Sequence, residues 1–194
     1  MKDAYLNVYN KIKESASVFI TAPAPKYNNL RLKKEEIAQA LKIGAEGIND
    51  NFKPNIINAG LNTLIVPIKS LESCLSLLPD QLVLKDFCLK NGIDIILAFT
   101  GEVADRRNKF RTRVFAPKFG YLEDPATGSG YYLLRNGLWS GDDLSIEQGN
   151  SRNFPNIVKL NAVKDEDRNN VIFGGGAVVK IDDTYTLLSL RTDL

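Results

Sequence analysis

One stretch of the chain concentrates residues able to do chemistry: Glu123-Asp124-Pro125-Ala126-Thr127-Gly128-Ser129-Gly130, leading into the apolar run Tyr131-Tyr132-Leu133-Leu134. Pro125 disfavours the helical region for Asp124, so the carboxylate stands just ahead of a helix rather than inside it. The start of a helix leaves backbone N–H groups without partners. Gly128 and Ser129 carry little bulk there, so the carboxylate of a small ligand can reach those donors. Asp124 beside it would orient an amine or hydroxyl, or support proton transfer. The same residues also suit a plain capping role, with Asp124 or Thr127 accepting from the first N–H groups of the helix. The local pattern leaves both roles open.

Other residues narrow the chemistry. The chain of 194 residues contains no histidine, which removes imidazole as a base near neutral pH or a zinc ligand and excludes Ser-His-Asp and Cys-His sites built from this chain. Cys74 and Cys88 are too few for a disulfide framework and lie in apolar stretches, which predicts buried thiols. Gln148-Gly149 closes a strand, where the amide is either a pocket-rim group or an ordinary polar residue at a strand end. Gly174-Gly175-Gly176 matches neither a dinucleotide fingerprint nor a phosphate loop. It is either a tight turn between strands or a close backbone approach forming a ligand wall. Arg111 and Arg113 share one side of a strand, and one of them can reach an acid such as Glu123. Lys+Arg at 25 nearly balances Asp+Glu at 23. With no global field and no aromatic interleaving around Arg106–Arg111, nucleic acid is not expected as a partner. No apolar run is long enough to span a membrane, and residues 1–14 lack an apolar leader core, which together predict a cytoplasmic protein.

The elements that must position these residues follow from periodicity. Ala16–Ala22 reads as a strand, Lys26–Arg31 as a loop and Leu32–Ile43 as a helix. Ile56–Ala59 and Leu64–Ile68 are strands joined through Gly60. The intervening loop, Asn58 to Thr63, is either an ordinary turn or a second ligand-facing loop. Ser70 caps one helix and Asp80 a second that runs through Lys90. Ile93–Phe99 and Phe110–Ala116 are strands, the latter with Phe110, Thr112 and Val114 on one side and Arg111, Arg113 and Phe115 on the other. A helix follows Thr127 to about Arg135. Trp139 covers one end of the core. Beyond it come strands at Leu144–Gln148, Ile157–Val163, Val171–Phe173, Ala177–Ile181 and Tyr185–Leu188, with a turn at Asp182-Asp183. Strands with few intervening helices predict an α+β fold with a largely antiparallel sheet rather than a doubly wound one.

Taken in order, several segments resemble the phenazine-biosynthesis PhzF-like family of the diaminopimelate-epimerase-like fold. They are Arg113-Val114-Phe115-Ala116-Pro117, Gly120, Glu123 through Ser129, Gln148-Gly149, and Gly174-Gly175 followed by Ala177-Val178. Gly60, Leu64-Ile65-Val66-Pro67 and Leu71 through Asp80 are similar to the same family. The resemblance implies a mostly antiparallel sheet rolled around a central helix, and a cleft that takes a small carboxylated metabolite without cofactor or metal. It implies Asp124 as the catalytic residue and Thr127, Gly128, Ser129, Gln148, Gly174 and Gly175 as ligand-binding residues.

The resemblance spans roughly residue 15 to the end, which divides the chain into an N-terminal remnant or extension (1–15) and a C-terminal domain (16–194). The family's glutamate and Gly-His pair belong to an earlier segment with no match ahead of Ala16. The expectation is therefore a truncated or split isomerase or epimerase subunit, inactive without a separate N-terminal chain. The alternatives are a non-catalytic, self-associating small-molecule binder and a homodimeric enzyme with a rebuilt site. Three departures accompany the match. Phe154 and Asn156 stand where the family has Arg and Ser, and Gly130 stands where it often has alanine, which reads as a mild change.

Overall fold

Among the described residues, ten strands build one sheet with two different faces. The structure, a computed structural model, describes residues 7–124, 130–165 and 168–180. In chain order the strands are β1 (Val8–Lys11), β2 (Ser17–Thr21), β3 (Lys26–Asn28), β4 (Asn55–Asn58), β5 (Asn62–Pro67), β6 (Ile95–Thr100), β7 (Phe110–Phe115), β8 (Leu144–Gln148), β9 (Asn156–Asp165) and β10 (Arg168–Gly176). The helices are α1 (Ile12–Ser15), α2 (Lys34–Leu41), α3 (Leu71–Leu75), α4 (Gln81–Lys90) and α5 (Gly130–Arg135). The spatial order is β1-β2-β10-β9-β8-β7-β6-β5-β4-β3. Neighbours are antiparallel except β5–β6 and β7–β8. Those two parallel pairs occur where α3 with α4, and then α5, supply the crossover that parallel strands need.

The inner face packs around α5. Ile65, Leu97, Phe110, Val114, Ile146, Val158 and Leu160 form one buried cluster with Tyr131, Tyr132, Leu133 and Trp139. The sheet curls far enough for α5 to touch both flanks. The Tyr131 hydroxyl donates to the Ala22 carbonyl just past β2 (3.3 Å), and the Tyr132 hydroxyl donates to Lys53 ahead of β4 (2.8 Å). The expected α+β fold, a mostly antiparallel sheet rolled around a central helix, is the architecture observed.

The outer face differs along its width. Over β5, β6 and the end of β7 it is apolar: Leu64, Val66, Ile96, Ala98 and Phe115 pack under α2, α3 and α4 with Ile37, Leu41, Leu84 and the two cysteines. Both thiols are fully buried, and burial pushes Cys74 up to about 12 and Cys88 to about 11. The caps stand where side-chain chemistry requires them. Ser70 Oγ accepts from the Ser73 N–H (3.1 Å), and Asp80 Oδ1 accepts from Leu82 and Val83 (2.9 and 3.0 Å).

Three readings of the sequence are corrected. Lys26–Asn28 is a short edge strand rather than a loop, because Tyr27 pairs with Ile57 on β4. Gly174-Gly175-Gly176 is not a turn: it is the end of β10, paired with β2. A Cβ on Gly174 would lie 1.9 Å from the Val18 carbonyl oxygen and 2.8 Å from Phe19 Cα, so glycine lets the two backbones meet. Residues 177–180 form no strand. The expected strand Tyr185–Leu188 and the turn at Asp182-Asp183 lie outside the described residues. Among the described residues, no helix is long and apolar enough to cross a membrane.

Candidate functional site

Asp124 is positioned by backbone before its side chain is considered. After β7 the chain turns through Pro117–Phe119, and the Ala116 N–H donates to the Leu122 carbonyl (2.9 Å). This brings Glu123 into a bridge with Phe115 and lets the Asp124 N–H donate to Val114 (2.8 Å). Parallel pairing of β8 with β7 ends at Gln148 opposite Thr112. Glu123 and Asp124 then run beside the remainder of β7. There the Gln148 side-chain amide donates to the Asp124 carbonyl (2.8 Å). The structure thus joins two candidate residues, Asp124 and Gln148, by a direct hydrogen bond. Gln148 is fully buried, so its amide is a fixed internal support rather than a mobile rim group.

Two arginines on β7 hold this junction from the outer face. Arg113 donates from Nε to Glu123 Oε1 (2.5 Å) and from Nη2 to Glu123 Oε2 (2.9 Å), the two-point match of guanidinium to carboxylate. Its remaining donors go to the carbonyls of Cys74, Leu75 and Leu77 at the end of α3 (3.0–3.1 Å). The expectation that an arginine reaches Glu123 is met, and Arg113 is the one that does so.

Arg111 turns to a residue the sequence reading missed. Its Nη1 donates to Glu147 Oε2 (3.0 Å), with both side chains fully buried. Its Nε and Nη2 donate to the Gly149 carbonyl (3.1 and 2.8 Å), and Nη2 also to Ser151 (2.5 Å). Glu147 collects further bonds from the backbone of Ala104 (3.0 Å) and Asp105 (2.7 Å) and from the Asn108 amide (3.0 Å). Burial alone would raise its pKa, but these N–H donors and the Arg111 guanidinium outweigh it and hold the carboxyl below the usual range. The available signal was alternation. Leu144 and Ile146 face inward, so Glu147 had to point outward beside Arg111, its partner in the β7–β8 register. Gly149 completes the junction: its N–H donates to Thr112 (3.0 Å), and its φ of 105° is accessible to glycine at little cost.

The other candidates divide. Thr127, Gly128 and Ser129 lie outside the described residues, as does the start of the helix they were expected to form; α5 is described from Gly130. Gly174 pairs with Phe19 on β2 and Lys159 on β9, and Gly175 pairs with Val18 on β2. Asn156, one of the family departures, pairs with Gln148, while Phe154 is 85% exposed. Gly130 is a larger departure than it first reads. An added Cβ would meet Trp139 and Val171 side-chain carbons at 2.9 Å.

The Asn58–Thr63 loop is pinned by its own polar groups. Asn62 Oδ1 accepts from Asn58 Nδ2 (2.8 Å), and Asp94 Oδ2 accepts from the Asn62 N–H (2.8 Å). Burial raises the Asp94 pKa, but Lys118 at 2.6 Å and the Asn62 N–H win, leaving it below the ordinary value. The register of β4 through β8 puts this loop at the same end of the sheet as Asp124 and Gln148. An open cavity of about 510 Å³ borders Glu147, Asn108, Arg152 and Phe154 beside the junction. No group of three or more His, Cys, Asp or Glu side chains among the described residues could hold a metal ion.

Comparison with known proteins places this arrangement in context. Residues 6–183 match the family described as Phenazine biosynthesis-like protein. An uncharacterized isomerase of Clostridium acetobutylicum is 30% identical over 159 residues, covering 76% of this chain and 52% of that protein. The trans-2,3-dihydro-3-hydroxyanthranilate isomerase of Pseudomonas fluorescens is 31% identical over 157 residues, covering 73% and 53%. The chain therefore spans about half the length of these curated relatives.

Two solved structures share the fold. The Bacillus anthracis phenazine biosynthesis protein of the PhzF family superposes with a TM-score of 0.75 at 20% identity, covering 94% of this chain and 64% of that one. An Enterococcus faecalis PhzF-family protein gives 0.55 at 22% identity, covering 84% and 55%. The match from residue 6 overturns the expectation that the resemblance begins near residue 15 and that the chain is a second-domain portion lacking its N-terminal catalytic segment. The truncated or split subunit falls with it. Residues 6–15, which include β1, belong to the matched region.

Proposed function

The chain belongs to the phenazine biosynthesis-like family, and on that premise we propose that it binds a small carboxylated metabolite at the Asp124 end of the sheet and acts on it as an isomerase or epimerase. One observation carries this reading: the Asp124 backbone is clamped on both sides, by Val114 and by the buried Gln148 amide, immediately before the Pro125–Ser129 segment. Preorganisation of this kind places an acid–base group where a bound substrate meets it. In this reading Asp124 orients or moves the proton. Thr127, Gly128 and Ser129 contribute donors to the substrate carboxylate, Gln148 supports Asp124, and Gly174 and Gly175 form part of the wall. No organic cofactor enters.

A second reading is favoured by the inventory of proton carriers. Isomerisation needs a group to take a proton and a group to return it. The chain has no histidine. Both cysteines are buried with their thiols pushed well up, and burial likewise raises Tyr131 and Tyr132, the latter to about 12. With Glu123 and Glu147 each tied to an arginine, the second reading is a binder that does not turn its ligand over.

A solvent-exchange experiment separates the two. The protein is incubated in heavy water with trans-2,3-dihydro-3-hydroxyanthranilate, the compound in the name of the Pseudomonas relative, and the ligand is followed by mass spectrometry and NMR. Isomer formation with deuterium incorporation that disappears in Asp124→Asn supports the enzyme. Saturable binding without exchange supports the binder. If neither this compound nor a panel of small amino and hydroxy acids binds, the proposal fails.

A further inference from the structure

A separate cavity of about 370 Å³ opens between the start of β8 and the β1–β2 hairpin. Its position follows from register. Ser145 on β8 pairs with Lys159 on β9, Lys159 with Gly174 on β10, and Gly174 with Phe19 on β2. Cross-strand partners share a face, so these four positions form one row across the sheet. Leu144 and Leu160, their neighbours in the chain, belong to the inner core, which puts the row on the outer face. Gly174 carries no side chain. Lys159 and Phe19 therefore stand on either side of a gap two strand spacings, about 10 Å, wide. Among the described residues the cavity is bordered by this lysine and phenylalanine with Ser145, Lys11, Glu14 and Asp143.

The two ammonium groups at this cavity have no carboxylate partner: the ion pairs among the described residues include neither Lys11 nor Lys159. Lys159 Nζ donates to Ser17 Oγ (2.7 Å), and that buried hydroxyl gives its own proton to the Ser15 carbonyl (2.9 Å). One of the three ammonium donors is thereby fixed, which orients the group and leaves two for a ligand. Lys11 is opposite Ser17 in the β1–β2 register, with its Nζ 5.8 Å from the centroid of the Phe19 ring. The acids stand differently. Asp143 Oδ1 accepts from the Asn161 amide (2.5 Å), and the Glu14 side chain is exposed.

We propose that this cavity binds a small aromatic monocarboxylate, with its carboxylate on Lys159 and Lys11 and its ring beside Phe19. A recess with an aromatic wall and a few placed polar groups is the usual form of a small-molecule site. Charge-assisted bonds from two ammonium groups supply the hold on the carboxylate, and the Ser145 hydroxyl adds a neutral donor. Glu14 and Asp143 at the rim select the charge. Two carboxylates beside two ammonium groups leave the recess near neutrality, which suits one negative charge and disfavours the two of a phosphate group. The cavity is bordered by neither Val114 nor Gln148, the residues that hold the Asp124 backbone. The proposal therefore stands or falls independently of the Asp124 site.

The test is an NMR titration of the full chain with phenylacetate and, separately, with inorganic phosphate. Phenylacetate is expected to give saturable shifts at the amides of Lys11, Phe19, Ser145 and Lys159, at the same affinity in wild type and Asp124→Asn. Lys159→Met keeps the aliphatic stem and removes the ammonium. It should bind phenylacetate at least about tenfold more weakly, the loss expected for a charge-assisted hydrogen bond. Lys159→Arg, which keeps the charge, should recover most of that affinity. Thermal melts check that each variant folds. Should Lys159→Met fail to fold, Lys11→Met on the edge strand β1 is read in its place, with weaker binding expected. Phosphate should bind more weakly than phenylacetate. The proposal is overturned by any of three results: no saturable shifts at these four residues, shifts that disappear in Asp124→Asn, or wild-type affinity in a folded lysine-to-methionine variant. Phosphate binding as tight as that of phenylacetate would overturn the assignment of a monocarboxylate.

Discussion

Arg111 and Arg113 are two residues apart on one strand, point to the same face and are both buried, yet they hold the junction differently. Arg111 works in a sealed environment. Its carboxylate partner Glu147 is fully buried and also gathers the 104–108 loop, while its other donors fix the chain after Gln148. Arg113 works at a boundary. Its carboxylate partner Glu123 is 21% exposed and precedes Asp124 directly, while its other donors close the end of α3. The first ion pair sets where β8 ends and Gln148 stands. The second sets where Asp124 stands. The difference teaches that stability and site geometry are divided between two neighbouring ion pairs, and substitutions can separate them.

The largest effect is expected at Glu147. Glu147→Ala leaves the Arg111 guanidinium buried without its carboxylate and three further donors without their acceptor. Breaking a buried pair in this way costs about 3–5 kcal/mol, read as a lower urea midpoint. An unchanged midpoint would remove the distinction between the two arginines. Glu123→Gln should cost less, about 1.5–3 kcal/mol for the charge-assisted bonds, because its carboxylate already meets solvent. It should weaken ligand binding more than its stability loss accounts for, whereas a destabilisation as large as that of Glu147→Ala would invert the comparison.

Acid sharpens the contrast. Glu147 has a folded pKa below the ordinary glutamate value, so its contribution to stability is fully present above about pH 4.3. It is lost as pH falls through the lower folded value. Stability should therefore decline below about pH 4.3 in the wild type and decline less steeply in Glu147→Gln, which pH-dependent urea titration would show. Gln148→Leu should cost about 1 kcal/mol for each hydrogen bond lost, the donation to Asp124 and the acceptance from the Thr112 hydroxyl among them. It should nevertheless move the amide signal of Asp124 in NMR spectra. A silent Asp124 amide would mean that the Gln148 bond does not set the position of that residue.

Much of this was legible in the sequence where the determinants are local. Ser70 and Asp80 cap the helices they precede, the alternation of Phe110–Phe115 assigned both faces of β7, and Arg113 finds Glu123 within the same turn of chain. Contacts that depend on tertiary register were not legible. Three successive glycines favour a turn when read alone. In the fold they continue β10, because Gly174 must pass within touching distance of the β2 backbone. Tyr27 becomes an edge-strand residue only because β4 is there to receive it. Glu147 reads as an ordinary strand acid until the β7–β8 register sets it against Arg111. Gly130 looks interchangeable with alanine until Trp139 and Val171 close over it. At the site, the family motif singled out Asp124 and Gln148, and the hydrogen bond between them is a product of the same register.

The central claim is that the Asp124 carboxylate, carried on a clamped backbone, forms a ligand site. Its most direct test is an NMR titration of wild type and Asp124→Asn with trans-2,3-dihydro-3-hydroxyanthranilate, alongside thermal melts of both. The account predicts saturable shifts centred on Asp124 and Gln148 in the wild type. It predicts affinity at least about tenfold weaker in Asp124→Asn, roughly 1.4 kcal/mol, at an unchanged melting temperature. Equal affinity in the two proteins would contradict it and leave Asp124 with a structural role alone.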